Sequence, residues 1–161
     1  MSKSTNFLAI GALVAFAAVN TASAQVTQTV TFQVSAINQI AVTGTPSLTI
    51  SAAVAGSAPT SVTSAANTWA VTTNQTTASI TASIPLAMPV GLTLSANLTA
   101  PAGATSAGLI ALGTTAVNVV TGITKLNSAA LGLTYQLDAT AAAGVVSSAT
   151  RVVTYTITGG V

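Results

Sequence analysis

From Val26 to Val42 the chain alternates. Val26, Gln28, Val30, Phe32, Val34, Ala36, Asn38, Ile40 and Val42 fall on one side, and Thr27, Thr29, Thr31, Gln33, Ser35, Ile37, Gln39 and Ala41 on the other. A period of two sends successive side chains to opposite faces of an extended backbone, so one face is apolar and the other carries hydroxyls and amides. Such a pattern specifies a half-buried strand rather than a helix. At ~3.3 Å per residue the stretch would extend about 56 Å, beyond the usual strand of roughly 3–10 residues. The phase slips at Ile37–Asn38, where an apolar side chain takes the polar side and an amide the apolar side. Either a bulge near Ile37 divides the stretch into two strands, or its first half leaves the domain and only the second pairs within it.

The residues before this stretch have the order of a secretory signal peptide. Lys3 precedes the apolar run Phe7–Val19, and Ala22-Ser23-Ala24 supplies an A-x-A cleavage site. The run rises only about 20 Å as a helix, short of the ~30 Å hydrocarbon core. The expected layout is a signal peptide over 1–24, helical in its apolar part and removed after Ala24. A single domain follows over 25–161, with no transmembrane segment once the signal is cleaved.

Beyond Thr43 the alternation recurs in short pieces separated by Gly, Pro and Asn. Leu48–Ile50 is expected to be a short strand, and Asn67–Thr73 with Thr77–Ile84 a hairpin around Asn74-Gln75. Leu92–Leu98 follows with Leu92, Leu94, Ala96 and Leu98 inward; Gly108–Leu112 and Ala116–Val120 are short apolar runs. Leu131–Ala139 and Arg151–Thr158 return to clean alternation. No stretch after the signal shows a capped helical period. The fold class is therefore all-β: an antiparallel two-sheet β-sandwich, Ig-like or jelly-roll-like, of about 8–9 strands. A transmembrane barrel would need aromatic girdles, and the mature chain has only Phe32, Trp69, Tyr135 and Tyr155.

Composition excludes most chemistry. Charged residues make up 2% of the chain, with no His and no Cys, where ordinary domains carry about a quarter charged residues. After the signal the charges are Lys125, Asp138 and Arg151. Zinc and transition-metal sites need thiolates or imidazoles, and calcium sites need several carboxylates, so no metal or other cofactor is expected. A serine nucleophile would have only Lys125 as base, with Ser128 nearby; a solvated lysine on a loop is the simpler reading. Isolated Lys125 and Arg151 give no basic footprint for nucleic acid. The chain is expected not to be an enzyme. Trp69 could offer a stacking face to a carbohydrate, but it falls on the apolar phase of its strand and is expected in the core.

Structural or adhesive work remains. Low net charge favours association, and an amphipathic extended segment is what strand addition requires, with backbone groups supplying affinity and alternate apolar side chains filling pockets. The expected function is a non-enzymatic subunit of a surface fibre or surface layer, self-associating through Val26, Val30, Phe32 and Val34. The alternative is a monomeric adhesion or carbohydrate-binding module using Trp69.

The signal peptide, the alternating segment after it and the final VVTYTIT together resemble small secreted bacterial β-sandwich proteins, including pilin-like subunits assembled by donor strands. That resemblance implies a location outside the cell or on its surface. The stretch TWAVTTNQTTASITASIPLAMPVGLTLSANLTAP is also similar to a group of uncharacterised secreted bacterial proteins. The chain departs from chaperone-usher pilins, which commonly carry a disulfide, in having no Cys.

With no His or Glu and one Asp, folded and unfolded chains are expected to bind nearly equal numbers of protons between about pH 3 and pH 9, and stability is flat where those numbers are equal. Thermal melts at pH 4 and pH 7 are expected to agree within about 3 °C; a shift of ten degrees or more would contradict this.

Overall fold

In a computed structural model, residues 23–160 are described; the signal-peptide helix therefore lies outside the described residues. Ser23–Gln33 contains no helix or strand. Val34 onward forms a compact unit of its own, and its architecture is a sandwich of two antiparallel sheets.

The larger sheet has the order β1 (Asn38–Thr43), β3 (Asn67–Thr73), β9 (Leu126–Ala139), β5 (Leu92–Leu98), β7 (Ile110–Ala111), with β2 (Val62–Thr63) also on β9. The smaller sheet has the order β10 (Thr154–Thr158), β4 (Ala78–Ser83), β8 (Val117–Ile123), β6 (Thr105–Ser106). One short 3-10 turn spans Ala141–Ala143.

β3 and β4 do not form the expected hairpin. They lie in different sheets, and Asn74–Thr77 arches between them. The pattern contains the reason: Trp69, Val71 and Thr73 are buried on β3, and Ala78, Ile80 and Ala82 on β4. Facing each other across the core, the two sets fill one interior, and no Asn-Gly turn is present to favour a hairpin. β8 and β9 are joined by a second arch at Thr124-Lys125, and the two arches bond to each other. Lys125 N–H donates to Gln75 C=O at 2.9 Å, and Thr77 N–H donates to Thr124 Oγ1 at 3.1 Å. Each arch holds a non-glycine residue at positive φ, Thr77 at 54° and Lys125 at 41°, a conformation costing roughly 1–2 kcal/mol.

β9 is the spine of the larger sheet. β3 pairs along Leu126–Leu133 on one side, β2 continues at Gln136–Leu137, and β5 takes Leu133–Ala139 on the other side. Between β2 and β3 the ladder is continued by Ser64, whose N–H donates to Tyr135 C=O at 2.8 Å and whose Oγ accepts from Tyr135 N–H at 3.1 Å. A bulge places Ala129 and Ala130 opposite Ala70, with Ala130 at φ 55°. It reverses the inward phase, from Leu126 and Ser128 before it to Leu131 and Leu133 after it. Alternation alone therefore starts this strand at Leu131, five residues late.

Two other expectations, at Leu48–Ile50 and Arg151–Thr158, need correction, and the apolar run Gly108–Leu112 is resolved. Leu48–Ile50 forms no strand, although Leu48 packs against the core. Gly108–Leu112 pairs only at Ile110–Ala111. Arg151–Val153 stays outside β10, because Ser83 at the end of β4 is the last pairing partner, opposite Thr154.

The core comprises Trp69, Val71, Ile80, Ile84, Leu98, Val119, Val120, Ile123 and Leu133, all fully buried. Each such side chain contributes about 1.5–3 kcal/mol. The sheets are also joined by a polar contact: Tyr155 Oη on β10 donates to Tyr135 Oη on β9 at 2.8 Å. Burial raises the pKa of both phenols; donating to Tyr135 raises Tyr155 further, while accepting that bond partly offsets the rise at Tyr135.

Because folded-state pKa values above the unfolded value of ~10 favour the neutral phenols, this stability is fully present below pH ~10 and is lost as pH rises above it. Melts should be flat up to about pH 9.5 and fall beyond it. At neutral pH Tyr155→Phe should cost about 1–3 kcal/mol in urea unfolding, and Tyr135→Phe added to it should cost little more, since replacing both partners leaves no orphaned hydroxyl.

Candidate assembly surfaces

The four residues expected to act in assembly lie outside every strand. Val26 is 92% exposed and Phe32 90%, and Val30 and Val34 are also mostly exposed. Strand β1 begins at Asn38, directly at the phase slip, so only the second half of the alternating stretch pairs within the sandwich.

The boundary is built by Asn74. Its Nδ2 donates to Ser35 C=O at 2.7 Å, and its Oδ1 accepts from Ile37 N–H at 2.8 Å. Its own N–H donates to Ile37 C=O at 3.2 Å. One amide side chain thus offers a donor and an acceptor, as a backbone unit would, and clasps the chain where it enters β1. Thr73, buried beside it, donates through Oγ1 to Asn38 Oδ1 at 2.7 Å and accepts from Gln75 N–H at 3.0 Å. The arch end of the sandwich is therefore where residues 35–37 are tied down.

The sheet edges differ in kind. β6 and β7 each have two residues and offer little to a partner. β1 and β10 are longer, with six and five residues, and carry no Lys, Pro or other charge of the sort that normally guards an edge. Each pairs on one side only.

Trp69 is 1% exposed and its Nε1 donates to Thr99 C=O at 3.2 Å. Its ring faces the core, so it presents no stacking face to a sugar. Tyr135 is buried and Tyr155 half-buried against it. An open depression of about 550 Å³ at the arch end is lined by Ile37, Thr72, Thr73, Asn74, Lys125 and neighbouring residues of β9. Lys125 is its one charged group, and no hydrogen bond joins it to Ser128. Asp138, at the far end of β9, accepts from Ser61 Oγ, and from Gln136 Nε2 at 2.9 Å. Among the described residues no three His, Cys, Asp or Glu side chains group to hold a metal, and no helix is long and apolar enough to cross a membrane.

Sequence reasoning named the exposed apolar residues but missed Asn74, whose signal was present: an amide in a turn that lacks a following Gly. Comparison with protein-family models, with curated proteins and with solved structures finds no match.

Replacing Asn74 by Ala should remove both bonds to residues 35–37, lowering stability by about 1 kcal/mol. Hydrogen exchange should quicken at the Ile37 amide and remain slow at Val71 in β3. Unchanged exchange at Ile37 would show that the clasp is not what holds the entry to β1.

Proposed function

We propose that this chain is a secreted, non-enzymatic structural protein, a subunit that builds a surface fibre or layer by β-strand addition between copies. The observation that carries the reading is the Val26–Val34 segment: strand-patterned, apolar on one side, exposed, and in no strand. Isolated apolar side chains on a surface are ordinary, but a contiguous apolar stripe marks an interaction site. Added to an open edge, such a segment would satisfy backbone donors and acceptors on both sides and bury alternate side chains. β1 and β10 offer uncharged edges of suitable length.

Composition supports the same reading. Interface centres are depleted of charge, and this chain carries almost none. Of its three charged groups after the signal, Lys125 lies at the arch end, and Asp138 and Arg151 lie toward the other. The signal-peptide reading of 1–24 supports export, and the lack of cysteine makes the fold independent of oxidation.

Negative-stain micrographs of the purified mature chain should show filaments. Deleting Gln25–Thr31 should leave a folded monomer with an unchanged melting profile. Filaments that survive the deletion would remove strand addition by this segment, and a wild-type chain that stays monomeric at high concentration would remove the fibre reading itself.

A further inference from the structure

After the signal the chain carries three charged side chains, and two of them are engaged within the fold. Asp138 accepts from Ser61 Oγ, and from Gln136 Nε2 at 2.9 Å. Arg151 donates to Ala87 C=O through Nε at 3.3 Å and Nη2 at 3.1 Å, and to Thr150 C=O at 2.9 Å. Lys125 is the exception. Its backbone N–H closes the arch on Gln75 C=O, but among the described residues its ammonium has no hydrogen bond and no ion pair. The chain has a single carboxylate side chain, and it is remote. Asp138 lies twelve steps of ~3.3 Å along β9 from Leu126, about 40 Å.

Lys125 also stands at a concavity. The depression of about 550 Å³ at the arch end is lined by Ile37, Thr72, Lys125, Leu126 and Asn127, beside the Asn74 clasp; small-ligand sites run from about 300 to 1,000 Å³. Thr72 and Asn127 are directly opposite one another in the β3–β9 ladder, so their side chains leave the same face about 5 Å apart. Both are exposed, and neither side chain enters the hydrogen bonding of the fold. One ammonium, one hydroxyl and one amide thus converge on a surface that Ile37 and Leu126 make partly apolar. The charge is positive and unopposed, so the ligand that complements it is negative. The hydroxyl and the amide each donate and accept, which suits a ligand rich in alcohols, and the two apolar side chains suit the C–H face of its ring.

We infer that this depression binds an acidic saccharide, with Lys125 pairing with the carboxylate of a uronic-acid unit and Thr72 and Asn127 bonding its hydroxyls. A single exposed ion pair is weak, so one site holds one sugar unit with a Kd of about 1 mM. Copies repeated along a fibre or layer would multiply that affinity for a polymeric saccharide. The site itself is complete in one chain, so it does not rest on the assembly reading and stands or falls separately from it.

Saturation-transfer NMR on the full mature chain reads millimolar binding by a monomer or a filament alike. Three probes separate the chemistry: galacturonate, its methyl ester, which keeps the ring and loses the charge, and propionate, which keeps the carboxylate and loses the ring. Galacturonate ring protons should be saturated, and the signals of the other two should be weaker by about tenfold. Lys125 is exposed and its side chain bonds nothing in the fold, so Lys125→Gln should melt as wild type does while losing the galacturonate signal, and Lys125→Arg should keep it. Lys125→Gln combined with Val145→Lys, at a fully exposed position, holds the net charge constant and should not restore binding. An undiminished signal in Lys125→Gln, or one restored by the distant lysine, would overturn the site. Equal saturation of the methyl ester would overturn the ion pair, equal saturation of propionate the saccharide, and no signal from wild type the whole inference.

Discussion

The interior faces of β3 and β4, pressed together across the core, are what the rest of the sandwich depends on. Trp69 and Val71 on one side meet Ala78, Ile80, Ala82 and Ile84 on the other, all buried. Two strands consecutive in the chain thus lie in different sheets, and the β8–β9 connection repeats the device beside it. The arches are stitched by Lys125 N–H on Gln75 C=O and Thr77 N–H on Thr124 Oγ1. With no disulfide available, apolar packing and these backbone bonds carry the fold. The strain of two non-glycine residues at positive φ is accepted because the packing they permit is worth several such costs.

The polar groups that must be buried are placed where the ladders are interrupted. Ser64 bridges β2 and β3 on β9, Thr73 joins the arch to β1, and the Tyr135–Tyr155 pair spans the two sheets. Among the described residues no buried side-chain polar atom lacks a partner. Neutral hydroxyls and amides do the work that ion pairs do elsewhere, which leaves stability nearly independent of pH until the phenols ionise. The same economy of charge leaves β1 and β10 without the usual protection against pairing with other chains.

Much of this was legible in the residues. β5 has the bounds that the alternation gives, Leu92–Leu98, with Leu94, Ala96 and Leu98 buried and Ser95 buried besides, and the slip at Ile37–Asn38 coincides with the start of β1. The core position of Trp69 follows from its phase. The candidate donor residues Val26, Val30, Phe32 and Val34 were visible as an apolar stripe. What was hidden shares one cause: period-two reading assumes that the phase persists and says nothing about which sheet a strand joins. The bulge at Ala129–Ala130 broke the phase of β9, and the paired burial of Val119 and Val120 in β8 has no alternation to detect.

By itself the sequence determined that the chain is all-β, that its interior is held without disulfides, that it has no His or Cys and a single carboxylate side chain, and that its first alternating stretch divides at Ile37. These follow from local rules, since side-chain type and spacing act on the nearest backbone. Tertiary structure alone decided that β3 and β4 arch rather than pair, that Asn74 clasps the entry to β1, and that Ile37, Thr72, Lys125 and Asn127 line one depression. Each depends on residues far apart in the chain, brought together only because two sheets must bury their apolar faces against one another.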